Sequence, residues 1–281
     1  MNMNGTIQLC ELLDAYRDEL QAEEKSGHTI EKYMRDARRF ADYAGDRAIT
    51  KELVIEYKNS LMTGDYAVSS TNSMLASLRH LLHFLGRDEC CVKSLRTQQQ
   101  VYCPEEKELT REEYFKLLDA AKEQPRLQLL LETLCSTGIR VSELKYFTVE
   151  AVKEGEVRVS CKNKIRTVLL PKKLRQQLQK YAAKQKIASG ILFRTKSGKA
   201  LNRSNIWTAM KKLCEKAGVL PSKVFPHNLR KLFARCFYKI EKDIAKLADI
   251  LGHSSVNTTR IYLMSSGTEH RRCIERLNLL I

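Results

Sequence analysis

Leu251-Gly252-His253-Ser254-Ser255-Val256-Asn257-Thr258-Thr259-Arg260-Ile261-Tyr262 is the stretch on which the reading of this chain turns. Ahead of it Leu247 and Ile250 keep helical spacing. Gly252 ends that helix, because glycine enters the left-handed conformation just past a helix C-terminus at little cost. His253 is thereby left at a junction, and Tyr262 follows nine residues later. On its own, such a tyrosine is an ordinary core or rim residue.

Three further patches carry more polar specificity than a helical core needs. In Thr137-Gly138-Ile139-Arg140-Val141-Ser142-Glu143-Leu144 a guanidinium follows a glycine, with apolar residues on both sides that pack its stem. Taken alone, a surface salt bridge to Glu143 accounts for it. Lys162-Asn163-Lys164 sits between two alternating apolar runs, Val157-Val159-Cys161 and Thr167-Val168-Leu169-Leu170, a pattern that predicts a β-hairpin with lysines at its tip. A turn lysine can act as a point charge or proton donor, although most are simply solvated. In Pro226-His227-Asn228-Leu229-Arg230-Lys231, His227 and Arg230 stand three apart and share a helix face. A proton-transfer group beside a fixed cation suits phosphate chemistry, and a structural histidine is the other reading. Metal chemistry has weaker support. His80-x-x-His83 ahead of Cys90-Cys91 has part of a zinc spacing, but no second pair closes a tetrahedral site. No GxxxxGK[ST] or GxGxxG segment offers a nucleotide cradle.

Around these patches the pattern is helical. Leu9, Leu12, Leu13, Tyr16 and Leu20 form one apolar stripe. A second helix is predicted from Thr29 to Ala44, stopped by Gly45. A third starts at Thr50, and a fourth runs from about Ser70 to Leu85. These make an all-α domain over residues 1–87. Residues 88–108, polar with Gln98-Gln99-Gln100 and Pro104, read as a linker. A catalytic domain is expected over 109–281. It opens on the capping box Thr110-x-x-Glu113, continues into a buried helix over Leu127–Thr137 and then the hairpin, and is helical again from Leu174 apart from a short extended Ile191–Phe193. The expected fold is mainly α with a small β-hairpin, in two domains.

The whole chain has 281 residues and a formal net charge of +16, with 49 Lys+Arg against 33 Asp+Glu. Residues 1–103 sum to −2 and residues 104–281 to +18, and between Glu156 and Glu215 sixteen basic residues meet no acidic one. Solvated surfaces normally mix signs, so this stretch points to a polyanion, with nucleic acid as first candidate. No apolar run is long enough to span a bilayer, and the opening Met1-Asn2-Met3-Asn4-Gly5 lacks a signal peptide's basic and apolar regions. Nine scattered cysteines without a CxxC pair fit reduced thiols in the cytoplasm.

Together the four patches resemble the tyrosine recombinase, or phage integrase, family. Its pattern is an arginine in a TGxR-x-SEL segment, a lysine on a β-hairpin, an HxLR segment and LGHxxxxTTxxY. All four stand here in that order over about residues 109–264. The helical N-terminal part resembles the family's core-binding domain in layout. With no room for an arm-binding domain before Leu9, the layout resembles the Xer type.

The resemblance implies a function. Tyr262 would be the nucleophile that forms a covalent 3′-phosphotyrosine. Arg140 and Arg230 would clamp the phosphate, His227 would accept or orient a proton, and His253 would donate a hydrogen bond to the phosphate. Lys162 would protonate the leaving 5′-oxygen. The family's hairpin often reads GKGNK, one residue longer, so Lys164 competes with Lys162 for that role. Neither cofactor nor metal is implied. Lys32, Arg35 and Arg39 on one face of the second helix, Arg79 on the fourth, and Lys164, Arg203 and Lys231 are the expected DNA contacts. The expected partner is double-stranded DNA with paired inverted half-sites, held by a homotetramer on two sites and by a monomer or weak oligomer without DNA. Ile274, Leu277 and Leu280 resemble the family's C-terminal helix that docks on a neighbour, against docking on its own domain. A type IB topoisomerase and a non-catalytic DNA-binding protein derived from a recombinase are the competing readings.

Overall fold

The structure, a computed structural model, describes residues 12–96, 107–161, 164–195, 197–263, 271–272 and 274–277, with only the backbone of Cys161 and Lys164. The chain divides into two units, residues 1–99 and 100–281.

In the first unit four helices wrap one apolar core. They are α1 (Leu13–Ala22), α2 (Gly27–Ala44), α3 (Lys51–Thr63) and α4 (Val68–Phe84). The Ser26 side chain accepts the Thr29 N–H at 3.3 Å, so α2 opens two residues before the expected Thr29. Thr50 caps α3 in the same way through Leu53 N–H. Tyr16, Leu20, Met34, Phe40, Val54 and Leu82 are buried in the shared core, each contributing about 1.5–3 kcal/mol by leaving water. Leu9 lies outside the described residues. A 3-10 turn over Asp88–Cys90 follows α4 and buries Cys90 in the same core.

Among the described residues the core of the second unit begins at Leu109. The capping box closes as the sequence requires, with Thr110 accepting Glu113 N–H at 3.1 Å and Glu113 accepting Thr110 N–H at 2.9 Å, and it starts α5 (Arg111–Ala120). Helix α6 (Pro125–Thr137) carries proline in its first turn and ends at Gly138 with φ +62°. A 3-10 turn over Val141–Tyr146 and α7 (Val149–Glu154) lead into β1 (Glu156–Cys161) and β2 (Lys164–Leu169). The remainder is α8 (Lys172–Lys184), α9 (Arg203–Ala217), α10 (Pro226–Glu241), α11 (Ile244–Leu251) and α12 (Val256–Tyr262). Among the described residues the chain is therefore mainly α with one two-stranded antiparallel sheet.

The hairpin differs from expectation in one respect. Lys164 pairs with Cys161, so β2 starts at Lys164 rather than Thr167, and Lys164 belongs to a strand rather than to the tip. The cause is the alternation itself, which runs back through Arg166: Val168 is buried and Arg166 half-buried on the inward face, whereas Ile165 and Leu169 are exposed. Lys162 and Asn163 lie outside the described residues. So does Leu280 of the C-terminal stripe, while Ile274 and Leu277 are exposed at 56% and 61%. No helix among the described residues is long and apolar enough to cross a membrane.

Candidate active site

Two glycines let the backbone elements of the second unit approach closely enough to build a site. At Gly138 a Cβ would lie 2.3 Å from Phe233 Cδ1, so α10 presses against the end of α6. At Gly252, also at positive φ, a Cβ would lie 2.6 Å from Arg166 Cδ and Nε. The first approach sets Arg140 beside α10, and the second sets His253 beside β2.

Arg230 is the centre of the arrangement. It is 2% exposed and the largest fully buried side chain described. Its Nη1 donates to Gly138 O at 2.5 Å, and its Nη2 donates to Leu251 O at 2.6 Å and to His253 Nε2 at 3.0 Å. Its Nε–H is buried with no acceptor among the described residues. Burial, followed by the charge of Arg140, draws its pKa down to about 10, which leaves it charged at neutral pH.

Since Arg230 can only donate, His253 Nε2 must accept, and the network assigns the proton to Nδ1, which meets the buried Thr259 Oγ1 at 2.8 Å. Burial and the charges of Arg230, Arg140 and Arg166 push the His253 pKa down to about 4, so the ring is neutral. The expected hydrogen bond from His253 to a phosphate therefore needs a change of protonation in this ring. His227 is held below the usual imidazole value by desolvation and by Lys231, Arg230, Arg140 and Arg203.

Tyr262, 7% exposed, is packed among these groups. The His227 and His253 rings meet it edge-on, each with its centroid 4.9 Å away. The Arg230 guanidinium stands 6.0 Å from the ring centre. Arg140, still 35% exposed at its side chain, donates its backbone N–H to Glu143 Oε2 at 2.8 Å and its Nη1 to Glu143 Oε1 at 3.3 Å. Beside it opens a cleft of about 490 Å³ lined by Arg140, Lys145, Arg203, Trp207, His227 and Arg230, with no carboxylate in its lining. Such a cleft attracts an anion.

Five of the six residues expected to carry chemistry thus converge. The sixth, Lys162, is outside the described residues. Of the expected DNA contacts, Arg203 lines the cleft and Lys231 adjoins Arg230 in α10. In the first unit Arg35 and Arg39 are exposed, and Arg39 donates to Tyr66 Oη at 2.8 Å. Arg79 donates to Val92 O at 3.2 Å. Lys32 is committed internally, donating to Asp36 Oδ2 at 2.9 Å, Ser73 O at 3.0 Å and Ser77 Oγ at 2.6 Å. With all three ammonium protons used inside the domain, Lys32 supports the fold of that face. The zinc-like spacing does not close either: His80 bonds Tyr16 and Glu23, and Cys90 is in the core. Its neighbours His83, Asp88 and Cys91 do approach one another within 4.8 Å, with His83 and Asp88 paired as a surface ion pair.

Two residues of the site were not singled out in the sequence for their own role. Glu143 is 1% exposed, so the partner of the half-exposed Arg140 is a buried carboxylate instead of a surface one. Arg166 was one basic residue among sixteen. Its register with Val168, a charge on an apolar strand face, was the available signal.

The second unit thus combines a tyrosine flanked by two histidines and a buried arginine with a neighbouring basic cleft that has no carboxylate in its lining, a setting suited to an anionic group. The comparisons agree. The sequence profile of the phage integrase family matches residues 107–269, and that of the phage integrase N-terminal SAM-like domain matches residues 13–89. The tyrosine recombinase XerA of Thermococcus kodakarensis is 30% identical over 280 residues, 96% of each chain. The crystal structure of XerA recombinase aligns with a TM-score of 0.53 at 25% identity, covering 96% of this chain and 99% of that one. A lambda integrase tetramer bound to a Holliday junction shares the fold, with a TM-score of 0.73 at 18% identity over 92% of this chain and 78% of that one. The chain belongs to the phage integrase family, the site-specific tyrosine recombinases.

Proposed function

We propose that this chain cuts and rejoins duplex DNA at specific sites through a covalent 3′-phosphotyrosine on Tyr262. The observation that carries the reading is the enclosure of the Tyr262 ring by His227, His253 and Arg230, with Arg140 at the mouth of a cleft that has no acidic lining. Tyr262 Oη attacks the scissile phosphorus, the bond from phosphorus to the 5′-oxygen breaks, and a 5′-hydroxyl leaves. A phenol ordinarily titrates near ~10, so the reaction needs local positive charge and a proton acceptor, here assigned to His227. Arg140 and Arg230 offset the charge of the pentacoordinate transition state, and the open Nε–H of Arg230 suits a phosphate oxygen. An anionic phosphate beside His253 favours its charged form, which would turn Nε2 from acceptor into donor. Lys162 is assigned the proton for the leaving oxygen. The phosphotyrosine conserves the ester bond, so a 5′-hydroxyl from a second strand reverses the step without a nucleotide.

Residues 1–87, with Arg35, Arg39 and Arg79, and residues 109–281, with Lys164, Arg203 and Lys231, are each assigned to DNA contact, with 88–108 as the connection. The working assembly is taken to be four copies on two DNA sites. That the comparison structure of lambda integrase is a tetramer on a Holliday junction supports this.

The test is adduct capture. Fragmented genomic DNA of the source organism, and then nicked suicide duplexes made from the captured sites, should give a denaturation-resistant protein–DNA adduct. Tyr262→Phe should give none while binding DNA with unchanged affinity. An undiminished adduct from Tyr262→Phe, or none from the unaltered protein, would sink the catalytic reading.

A further inference from the structure

Three successive carbonyls at the end of α11 each receive a different arginine. Arg166 Nη1 donates to Ile250 O at 3.1 Å, Arg230 Nη2 to Leu251 O at 2.6 Å, and Arg140 Nη2 reaches Gly252 O at 3.4 Å. Two of these arginines already have an assigned role. Arg166 has none, although its contacts are at least as specific. It projects from the inward face of β2 opposite Val159, its side chain is 15% exposed, and its Nη2 donates to Glu143 Oε2 at 2.7 Å. The absence of a side chain at Gly252 is what lets its stem pass.

We propose that Arg166 is a positioning residue which, through Glu143 and the carbonyl end of α11, sets Arg140 and His253 for the phosphate. The argument begins with Glu143, a carboxylate buried between two guanidinium groups. Oε2 accepts from the Arg140 backbone and from Arg166, while Oε1 holds Arg140 Nη1. Carboxylate and guanidinium prefer a two-point pairing. Without Arg166, Glu143 would have a free lone pair and would draw the Arg140 side chain into that pairing, away from the cleft. With Arg166 in place the carboxylate is shared, and among the described residues Arg140 Nη2 keeps only its long contact to Gly252 O. The other arm of Arg166 ties β2 to Ile250 O in the last turn of α11, three residues ahead of His253, so one side chain holds both groups. Its two arms are occupied by protein acceptors, which argues for action through these neighbours rather than by touching DNA.

The inference rests on the reading of the site given above, and the two can fail separately. The experiment measures single-turnover cleavage and DNA affinity on the suicide duplex for the unaltered protein, Arg166→Ala, Arg140→Ala and the double variant. A misplaced clamp costs about 100-fold in rate. Arg166→Ala should therefore cleave at about one hundredth of the normal rate with its DNA Kd within about threefold. Groups that act as one unit lose their effects only once, so the double variant should be no more than about threefold slower than Arg140→Ala. Should Arg166→Ala fail to fold by its thermal transition, Arg166→Lys takes its place in both comparisons. An ammonium reaches one of the two acceptors, and a loss of about tenfold is expected from it. Cleavage by the folded variant within about threefold of normal overturns the inference, as do losses that multiply in the double variant, the mark of an independent contact. No adduct from the unaltered protein overturns the reading of the site instead.

Discussion

At Tyr262 the surroundings matter more than the residue. A tyrosine is reactive only where cations and a proton acceptor are held against it; beside Tyr262, Arg230 is fixed by Gly138 O and Leu251 O, and His253 by Arg230 and Thr259. The neutral state of His253 has a measurable consequence. Its folded pKa, about 4, lies below the ordinary imidazole value near ~6.5. As pH falls through that interval the unfolded chain takes up a proton that the fold refuses, so stability contributed by this ring is intact above the interval and is lost progressively as pH falls toward 4. Urea unfolding at pH 7.5 and pH 5 should show this loss, and His253→Gln should be distinctly less sensitive to the change. Bound DNA should reverse the balance. Calorimetry near pH 5.5 in buffers of different ionisation heat should register net proton uptake on binding, and none of that component in His253→Gln.

The hairpin is the element that most needs direct chemistry. Lys164 opens β2, its backbone paired with Cys161. Lys162 precedes it by two residues in the sequence. We therefore expect Lys162→Ala to block strand cleavage and Lys164→Ala only to weaken it, read as adduct yield on the suicide duplex. The reverse order would transfer the proton-donor role to Lys164. Much at this scale was legible beforehand: Thr110 and Glu113 announced a capping box, Gly138 and Gly252 announced helix ends, and Val157 and Val159 announced β1. The start of β2 was less so, because Arg166 on an inward face hides the apolar alternation that a buried strand normally displays.

For the whole molecule the charge division has the largest effect. The basic excess lies entirely in residues 104–281, and the cleft there is lined by arginine and lysine without a carboxylate. Binding that neutralises six to ten phosphates loses roughly 1000-fold or more in affinity between 50 and 200 mM salt, and a steep slope of that kind should appear in titrations of any captured site. The exposed Ile274 and Leu277 are apolar side chains with no cover among the described residues. We expect deletion of 268–281 to abolish cooperative binding to paired half-sites, measured by gel shift, while leaving binding to a single half-site in place. Cooperativity that survives the deletion would place the tail on its own domain.

The sequence by itself determined the helices and the hairpin, because caps, glycine stops and apolar periods are local, and it singled out Arg140, His227, Arg230, His253 and Tyr262 as the proposed reacting set, because they stand in recognisable segments. It also located the basic excess, which is a matter of counting. Only the tertiary structure decided which charges face outward. Lys32 and Arg35 are three residues apart on one helix face, yet one is consumed by Asp36, Ser73 and Ser77 and the other stands exposed. Glu143 passed for a surface partner of Arg140 until burial made it a shared carboxylate between two guanidinium groups. The reason is physical: a charge is put to use by its desolvation and by partners far away in the chain, and neither is written in its neighbours.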